Sequence, residues 1–201
     1  FLGLGLIVVF AGSAFIANTQ IVQPILDDRM VEDVVGTPIK TEEYNFEFKY
    51  PSGVEGYALV EPPVATTSVA LKKAYLMFEY GQYVEYQNAT GTLETPLTVS
   101  VFVFALPEKS ETDSSSRSQR LMQWIEENPQ YTSFNRKVGE VTEVELDGVS
   151  AVKYSTQGIY TQDFHIASYS GNAYLFAAQY ENPEDDNVVM YNNLINSVTF
   201  Y

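Results

Sequence analysis

The chain has 201 residues, a length that suits one N-terminal segment followed by a single domain of about 160 residues with its own hydrophobic core. Its 26 acidic and 11 basic side chains give a net charge of −15, so it lacks the positive surface that nucleic acids or anionic lipid headgroups require. The absence of cysteine excludes disulfides, thiolate metal sites and thiol nucleophiles, whereas 15 Tyr and 12 Phe supply ample material for a core.

Residues 1–26 contain no charged side chain, and residues 1–17 are almost wholly apolar. At ~1.5 Å per residue, a helix over residues 1–17 would extend about 25 Å, slightly less than a hydrocarbon core of ~30 Å. We expect a hydrophobic helix over residues 1–35. Its apolar part must be hidden from water, and it should be hidden in a bilayer or a filament core, because a domain of this size rarely surrounds a helix that is apolar on every face. Its small residues would permit close helix packing; they are Gly3, Gly5, Ala11, Gly12, Ser13, Ala14 and Ala17.

This segment resembles the N-terminal helix of type IV pilins. The likeness lies in Phe1 as the first residue, with no basic residue before the apolar run, and in Gly12 and Pro24, which disturb the helix. Bacterial major pilins have Glu at position five, where this chain has Gly5, so the likeness is to archaeal-type pilins. The resemblance implies assembly or anchoring through Phe1, Leu4, Leu6, Ile7, Val8, Val9, Phe10, Gly12, Phe15, Ile16 and Pro24. The alternative is a signal-anchor that crosses a bilayer once.

The segment 36–43 begins with Gly36-Thr37-Pro38, which should end the helix, and we interpret it as a short linker to a domain over residues 44–201. Residues 44–50 alternate aromatic and polar side chains and predict a strand. Further strands are expected near residues 57–61, 73–79 and 82–87. Residues 97–106 form the most hydrophobic stretch of the domain and predict a central strand.

Two hairpins are predicted in the second half of the chain. Residues 140–146 and 149–155 flank Asp147-Gly148, a pair suited to a type I′ turn, and residues 160–169 and 173–180 flank Ser170-Gly171-Asn172.

Two helices are expected beside these strands. The first covers residues 115–127, and the second begins with Asn182 as N-cap and Pro183 at its first position. A last strand follows at residues 197–201. These elements predict an α+β fold, in which two helices pack on a mostly antiparallel sheet.

The domain also resembles PsbP-like (Mog-like) extracytoplasmic domains. The likeness rests on four short segments in the expected order: EEYNFEFKYPSG, VTEVELDGVSAVKYS, YLFAAQY and LINSVTF. It spans residues 42–201 and implies a sandwich that acts as a binding or accessory module. The resemblance carries over no catalytic residues, because these domains have no general catalytic set.

Few residues in the sequence indicate chemistry, and we expect no catalytic residue, metal or cofactor. His165 is the only histidine, so a structural role is expected, since one His cannot form a zinc site alone. The acidic residues near position 184 could hold Ca²⁺, but their spacing does not fit an EF-hand and a negative first helical turn explains them without a metal. Tyr side chains at residues 75–86 could form an exposed contact row. Asn88-Ala89-Thr90 is a possible glycosylation site in an expected loop.

Three functional hypotheses follow from these patterns. The first is a non-enzymatic subunit of an extracellular filament, in which copies of the chain meet through the N-terminal helix. The second is a single-span protein of the bilayer with a PsbP-like accessory domain on the extracytoplasmic side. The third is a membrane-tethered hydrolase, for which the sequence offers no motif. None of them involves nucleic acid.

Overall fold

Two sheets organise residues 36–64, 70–90, 93–107 and 116–201, which are the residues that the computed structural model describes. All strand pairs between named strands are antiparallel. The strands of the described residues are β1 (Thr37–Thr41), β2 (Phe46–Tyr50), β3 (Tyr57–Val60), β4 (Leu71–Glu79), β5 (Thr98–Ala105), β6 (Lys137–Leu146), β7 (Val149–Gln157), β8 (Thr161–Tyr169), β9 (Asn172–Tyr180) and β10 (Thr199–Phe200).

The smaller sheet has the order β1-β2-β10, and the larger sheet has the order β3-β4-β5-β9-β8-β7-β6. The hydrophobic stretch that predicted a central strand forms β5, with β4 and β9 on its two sides. Strands β6 to β9 form two consecutive hairpins through the turns Asp147-Gly148 and Ser170-Gly171. All four turn residues have positive φ, as a type I′ turn requires. Both hairpin predictions are confirmed.

The α-helices in the described part of the chain are α1 (Tyr80–Asn88), α2 (Arg117–Glu127), α3 (Pro129–Thr132) and α4 (Asp186–Ser197), and short 3-10 helices cover Glu42–Tyr44 and Phe134–Arg136. Helix α2 begins with a capping box: the Ser116 hydroxyl accepts from the backbone N–H of Gln119 at 3.1 Å, and the Gln119 side chain accepts from the Ser116 N–H at 2.7 Å. This helix ends before Pro129, as predicted.

The larger sheet is covered on both faces. On one face, α4 and the smaller sheet enclose an aromatic core in which the rings of Phe46 and Tyr174 have centroids 5.0 Å apart. On the other face, α2 packs Trp124 and Ile125 against Phe104 and its neighbours. Each fully buried large apolar side chain stabilises the fold by roughly 1.5–3 kcal/mol before entropy is counted. The predicted α+β class with a mostly antiparallel sheet is therefore confirmed.

Residues 36–43 are not a linker, because Thr37–Thr41 pair with β2 as strand β1. Their side chains alternate between half-buried and exposed, with Ile39 packed against the core, and Pro38 is tolerated in a strand at the edge of its sheet. Gly36 is required just before β1, since a β-carbon there would lie 2.6 Å from the carbonyl carbon of Tyr50. The domain thus begins near residue 36 rather than at residue 44.

The predicted strand at residues 82–87 is wrong, because this segment belongs to helix α1. Tyr83 is the buried residue of the helix, and its ring stacks on Phe78 at a centroid distance of 5.2 Å. The three-residue spacing of Tyr80, Tyr83 and Tyr86 suits a helix, in which residues three or four apart lie on the same face. With α1 and α3 added, the described residues contain more than the two predicted helices.

Helix α4 begins at Asp186, later than predicted from Asn182 and Pro183. The carboxylate of Asp185 accepts hydrogen bonds from the backbone N–H groups of Glu181 and Asn182 at 2.8 and 3.0 Å, which closes a turn before the helix. The last strand is also shorter than predicted, since Ser197 is the last residue of the helix, Val198 is its C-cap, and β10 contains two residues.

Candidate functional site

His165 lies in the middle of β8 and packs beneath helix α4. Its side chain is 7 % exposed, and Nδ1 lies 2.8 Å from the hydroxyl oxygen of Tyr191. The same hydroxyl donates to the carbonyl oxygen of Phe176 on β9 at 3.1 Å. Because a tyrosine hydroxyl has a single hydrogen, it must accept from Nδ1–H, and Nε2 is left as an unprotonated acceptor.

Burial, followed by the positive charge of the cross-strand neighbour Lys153, lowers the pKa of His165 to about 4, whereas the negative charge of Asp163 acts in the opposite direction. The imidazole is therefore neutral at physiological pH. Burial also raises the pKa of the Tyr191 hydroxyl well above its ordinary value, so that this group stays protonated. The pair is a neutral hydrogen bond that joins α4 to β8, which matches the structural role expected for His165.

A second polar group, centred on Asp163, lies two residues before His165 on the same face of the sheet. Its Oδ1 atom accepts a hydrogen bond from the Ser155 hydroxyl at 2.5 Å. Burial, followed by the negative charge of Asp163, raises the pKa of Tyr180 to about 12. In the described part of the chain, no hydrogen bond joins His165 to Ser155 or Asp163. These residues therefore lack the Ser–His–Asp relay of a hydrolase.

A cavity of about 540 Å³ opens between the end of α4 and the β6–β7 hairpin, and we call it the α4 cavity. Its volume lies within the range of small-ligand pockets. Asp147, at the turn of the hairpin, holds β10 in place by accepting from the Phe200 N–H at 2.8 Å. The residues that line the α4 cavity are Val144, Glu145, Leu146, Asp147, Lys153, His165, Ile195, Asn196, Val198 and Thr199.

The α4 cavity combines an aliphatic wall with few charged groups. Asp147 and Lys153 supply one charge of each sign, and His165 contributes a neutral ring. Such a lining favours a ligand group that is apolar or that donates hydrogen bonds.

A second cavity, of about 410 Å³, lies beside β1. Lys73 crosses it, bonds to Glu61 and places its ammonium group 5.2 Å from the centre of the Tyr75 ring. Because the central charges of this cavity already satisfy one another, it offers less to a ligand than the α4 cavity does.

No group of three or more His, Asp or Glu side chains within the described ranges could hold a metal ion. For the acidic residues near position 184, the structure gives a local explanation. Asp185 caps the turn before α4, and the backbone N–H groups of Asn182 and Glu181 lower its pKa. The Ca²⁺ alternative gains no support from this arrangement.

The other residues singled out in the sequence fall into three groups. Asn88 is exposed at the end of α1 rather than in a loop, and its amide donates to the Val84 carbonyl at 2.8 Å. Tyr75 and Tyr83 are buried, so neither belongs to an exposed tyrosine row. The assembly or anchor residues lie outside the described residues; they are Phe1, Leu4, Leu6, Ile7, Val8, Val9, Phe10, Gly12, Phe15, Ile16 and Pro24.

Helices that cross a bilayer need both length and apolar character, and no helix within residues 36–64, 70–90, 93–107 and 116–201 has both.

The sequence pattern missed the neighbours of His165. Lys153, Asp163 and Tyr191 come from three different elements, and no local motif places them together. The Asp147-Gly148 turn fixes Leu146 opposite Val149, and by extension Thr142 opposite Lys153. The pairing of Lys153 with His165 depends instead on the longer connection between β7 and β8, whose register no turn motif predicted.

No family model and no curated protein sequence matches the chain. A solution structure of cyanobacterial PsbP (CyanoP) from Synechocystis sp. PCC 6803 is similar, with a TM-score of 0.51 and 14% identity over 89% of this chain and 99% of that chain. A crystal structure from Bacteroides thetaiotaomicron VPI-5482 gives a TM-score of 0.46 at 12% identity, over 84% of this chain and 49% of that chain. The first likeness shows that the fold is PsbP-like, as the sequence motifs predicted.

Proposed function

We propose that the chain is a non-enzymatic extracytoplasmic binding or accessory module, held on a membrane by its apolar N-terminal segment. The PsbP-like fold is the observation that carries this proposal, since the sequence resemblance to such domains implied a binding or accessory role. The polar groups of the described domain are consistent with it. His165, Tyr191 and Asp163 hold the fold together, and none of them is poised for acid–base chemistry.

The tether is inferred from the uncharged stretch at residues 1–26. Water disfavours this much apolar surface by about 25 cal/mol per Å², which favours a non-aqueous environment for the segment. Strand β1 begins at Thr37, only ten positions beyond Asp27, the first charged residue. The domain would therefore lie close to the membrane surface. Its net negative charge would keep it from adhering to anionic headgroups.

A second candidate function is that of a filament subunit, in which the same segment packs against copies of itself. The observation that favours it is the series of small residues at Gly3, Gly5, Gly12 and Ala17, which would let helix backbones approach closely. In this case the PsbP-like domain would be displayed on the outside of the filament.

Fractionation of cells that express the full chain separates these functions. For a tethered module, mild shearing should leave the protein with the membranes, a nonionic detergent should release it, and protease added to intact spheroplasts should digest the domain. Release by shearing as an assembly of many copies would support the filament instead. A domain that resists the external protease until the cells are lysed would contradict both.

A further inference from the structure

Strand β6 forms one edge of the larger sheet, with β7 on its inner side. Within the part of the chain that the structure describes, no strand pairs with its outer side. An exposed edge of this kind presents backbone N–H and C=O groups to which another extended chain can bond. Soluble proteins usually block such edges.

One half of β6 is blocked and the other half is not. The register shifts between Val138 and Thr142, and Gly139 has a φ of +69°, so this part of the strand is bulged away from regular pairing. From Thr142 to Leu146 the pairing with β7 continues without interruption. The segment Thr142 to Leu146, which we call the open edge, is therefore a regular strand.

The turn that follows shows which backbone groups of the open edge point outward. In a two-residue turn through Asp147-Gly148, the carbonyl of Leu146 accepts from the N–H of Val149, so this pair is a hydrogen-bonded one. Hydrogen-bonded and non-hydrogen-bonded pairs alternate along an antiparallel ladder. The N–H and C=O groups of Glu143 and Glu145 therefore face away from β7.

The side chains of the open edge alternate between the two faces of the sheet. Val144 and Leu146 pack on the face of α4 and line the α4 cavity, whereas Glu143 and Glu145 lie on the opposite face and are exposed. Neither glutamate forms an ion pair with a described residue. With respect to the described residues, the open edge thus combines unpaired backbone groups, uncompensated negative charge on one face and an aliphatic rim on the other.

We propose that the open edge is the docking site for an extended segment of a partner protein in which basic and aliphatic residues alternate. Residues opposite Glu143 and Glu145 would be Lys or Arg, because cross-strand pairs of opposite charge are favourable. The intervening residue would place an aliphatic side chain beside Val144 at the α4 cavity. A second copy of this chain is disfavoured, since it would bring glutamates against glutamates on molecules of net charge −15.

This inference rests on the proposed binding role and gives it a class of partner. The test uses the full chain in nonionic detergent micelles and fluorescein-labelled pentapeptides with blocked termini, at about 50 mM salt. The basic probe is Lys-Val-Lys-Leu-Lys, and the acidic control is Glu-Val-Glu-Leu-Glu. Fluorescence anisotropy should show saturable binding of the basic peptide that is at least about tenfold tighter than that of the acidic one.

Glu143→Pro and Glu143→Gln separate the backbone from the charge. Both remove the carboxylate, but only proline removes the outward N–H, and proline is tolerated at an edge position that makes no ladder bond. We expect Glu143→Gln to weaken binding about 2–5-fold and Glu143→Pro about tenfold or more. A basic peptide that is N-methylated at alternate residues tests the same bonds without changing the protein. The wild-type protein should bind this peptide about as weakly as the Glu143→Pro variant binds the unmodified peptide.

Three outcomes would each overturn the inference. The two variants could bind the basic peptide equally well, the N-methylated peptide could bind as tightly as the unmodified one, or the basic peptide could show no saturable binding. The acidic peptide binding as tightly as the basic one would do the same. These outcomes are independent of the cell fractionation. If the protein is tethered to the membrane but does not bind the basic peptide, only the inference is contradicted. If it binds the peptide but is found in the cytoplasm, only the proposed location is contradicted.

Discussion

Asn187 and Tyr191 lie one turn apart on α4, and each fastens the helix to a different part of the larger sheet. The amide of Asn187 accepts from the Tyr57 hydroxyl at 2.9 Å and donates to the Gln179 carbonyl at 2.9 Å. The hydroxyl of Tyr191 bridges His165 and the Phe176 carbonyl. Two polar side chains at i and i+4 thus determine how an otherwise apolar helix face sits on the sheet.

Asn187→Ala should lower the free energy of unfolding by about 2–3 kcal/mol, because it leaves the buried Tyr57 hydroxyl and the Gln179 carbonyl without a partner. Chemical denaturation followed by circular dichroism measures the change. Asn192→Ala is the matched control, since Asn192 is exposed on the same helix and its loss should cost less than about 0.5 kcal/mol. Similar costs for the two substitutions would contradict the role assigned to Asn187.

Stability should decrease as pH falls, and His165 should contribute to the decrease. Its folded pKa of about 4 lies below the unfolded value of 6.5, so between these values the unfolded chain binds the additional proton. The contribution is present above pH 6.5 and is lost by about pH 4, and it amounts to roughly 3 kcal/mol. In His165→Gln, the difference in unfolding free energy between pH 7 and pH 4.5 should be smaller than in the wild type, whatever the absolute stability of the variant. An unchanged difference would refute this assignment.

Gly36→Ala should destabilise the domain, because the new methyl group would lie 2.6 Å from backbone atoms of Tyr50 and force β1 away from β2. We expect a loss of about 1–3 kcal/mol, measurable as a lower melting temperature. Gly81→Ala provides the contrast. Its β-carbon would meet only the flexible Glu79 side chain at 3.3 Å within helix α1, so the substitution should be neutral or stabilise by up to about 1 kcal/mol.

Ser116→Ala should cost about 1 kcal/mol, since it removes one of the two bonds of the capping box at the start of α2. Thermal unfolding of Ser118→Ala serves for comparison, because the Ser118 hydroxyl makes only a 3.5 Å contact with Ser150. A loss in Ser118→Ala as large as that in Ser116→Ala would show that the cap is not what stabilises the helix.

Local chemistry was sufficient to predict most of the fold. The Asp147-Gly148 and Ser170-Gly171 turns determine two hairpins, and the hydrophobic run of β5 indicates a strand buried on both faces. The errors occurred where tertiary packing decides between two conformations. The aromatic pattern after Glu79 suits a strand or a helix, and the stacking of Tyr83 on Phe78 selects the helix. Likewise, Thr37–Thr41 has too little apolar character to predict a strand until β2 is available to pair with it.

The candidate site was less predictable than the fold. His165 could be identified as a residue without metal-binding partners, and its burial follows from its place between Phe164 and Ile166. The α4 cavity depends on where the end of α4 meets the β6–β7 hairpin, and these elements are about 50 residues apart in sequence. No local sequence pattern predicts a contact between elements that are so far apart in sequence.

The position of β1 determines how the domain would respond to a pulling force on its N-terminus. Thr37, the first residue of the strand, pairs with Tyr50 at the end of the hairpin farthest from its connection, so tension applied before Thr37 would break the β1–β2 hydrogen bonds one after another rather than all together. No side chain of β1 is fully buried, and the main core would remain closed while the strand detaches. Under tension at the N-terminus, strand β1 would therefore detach first and become an extended segment before the force acts on the rest of the fold.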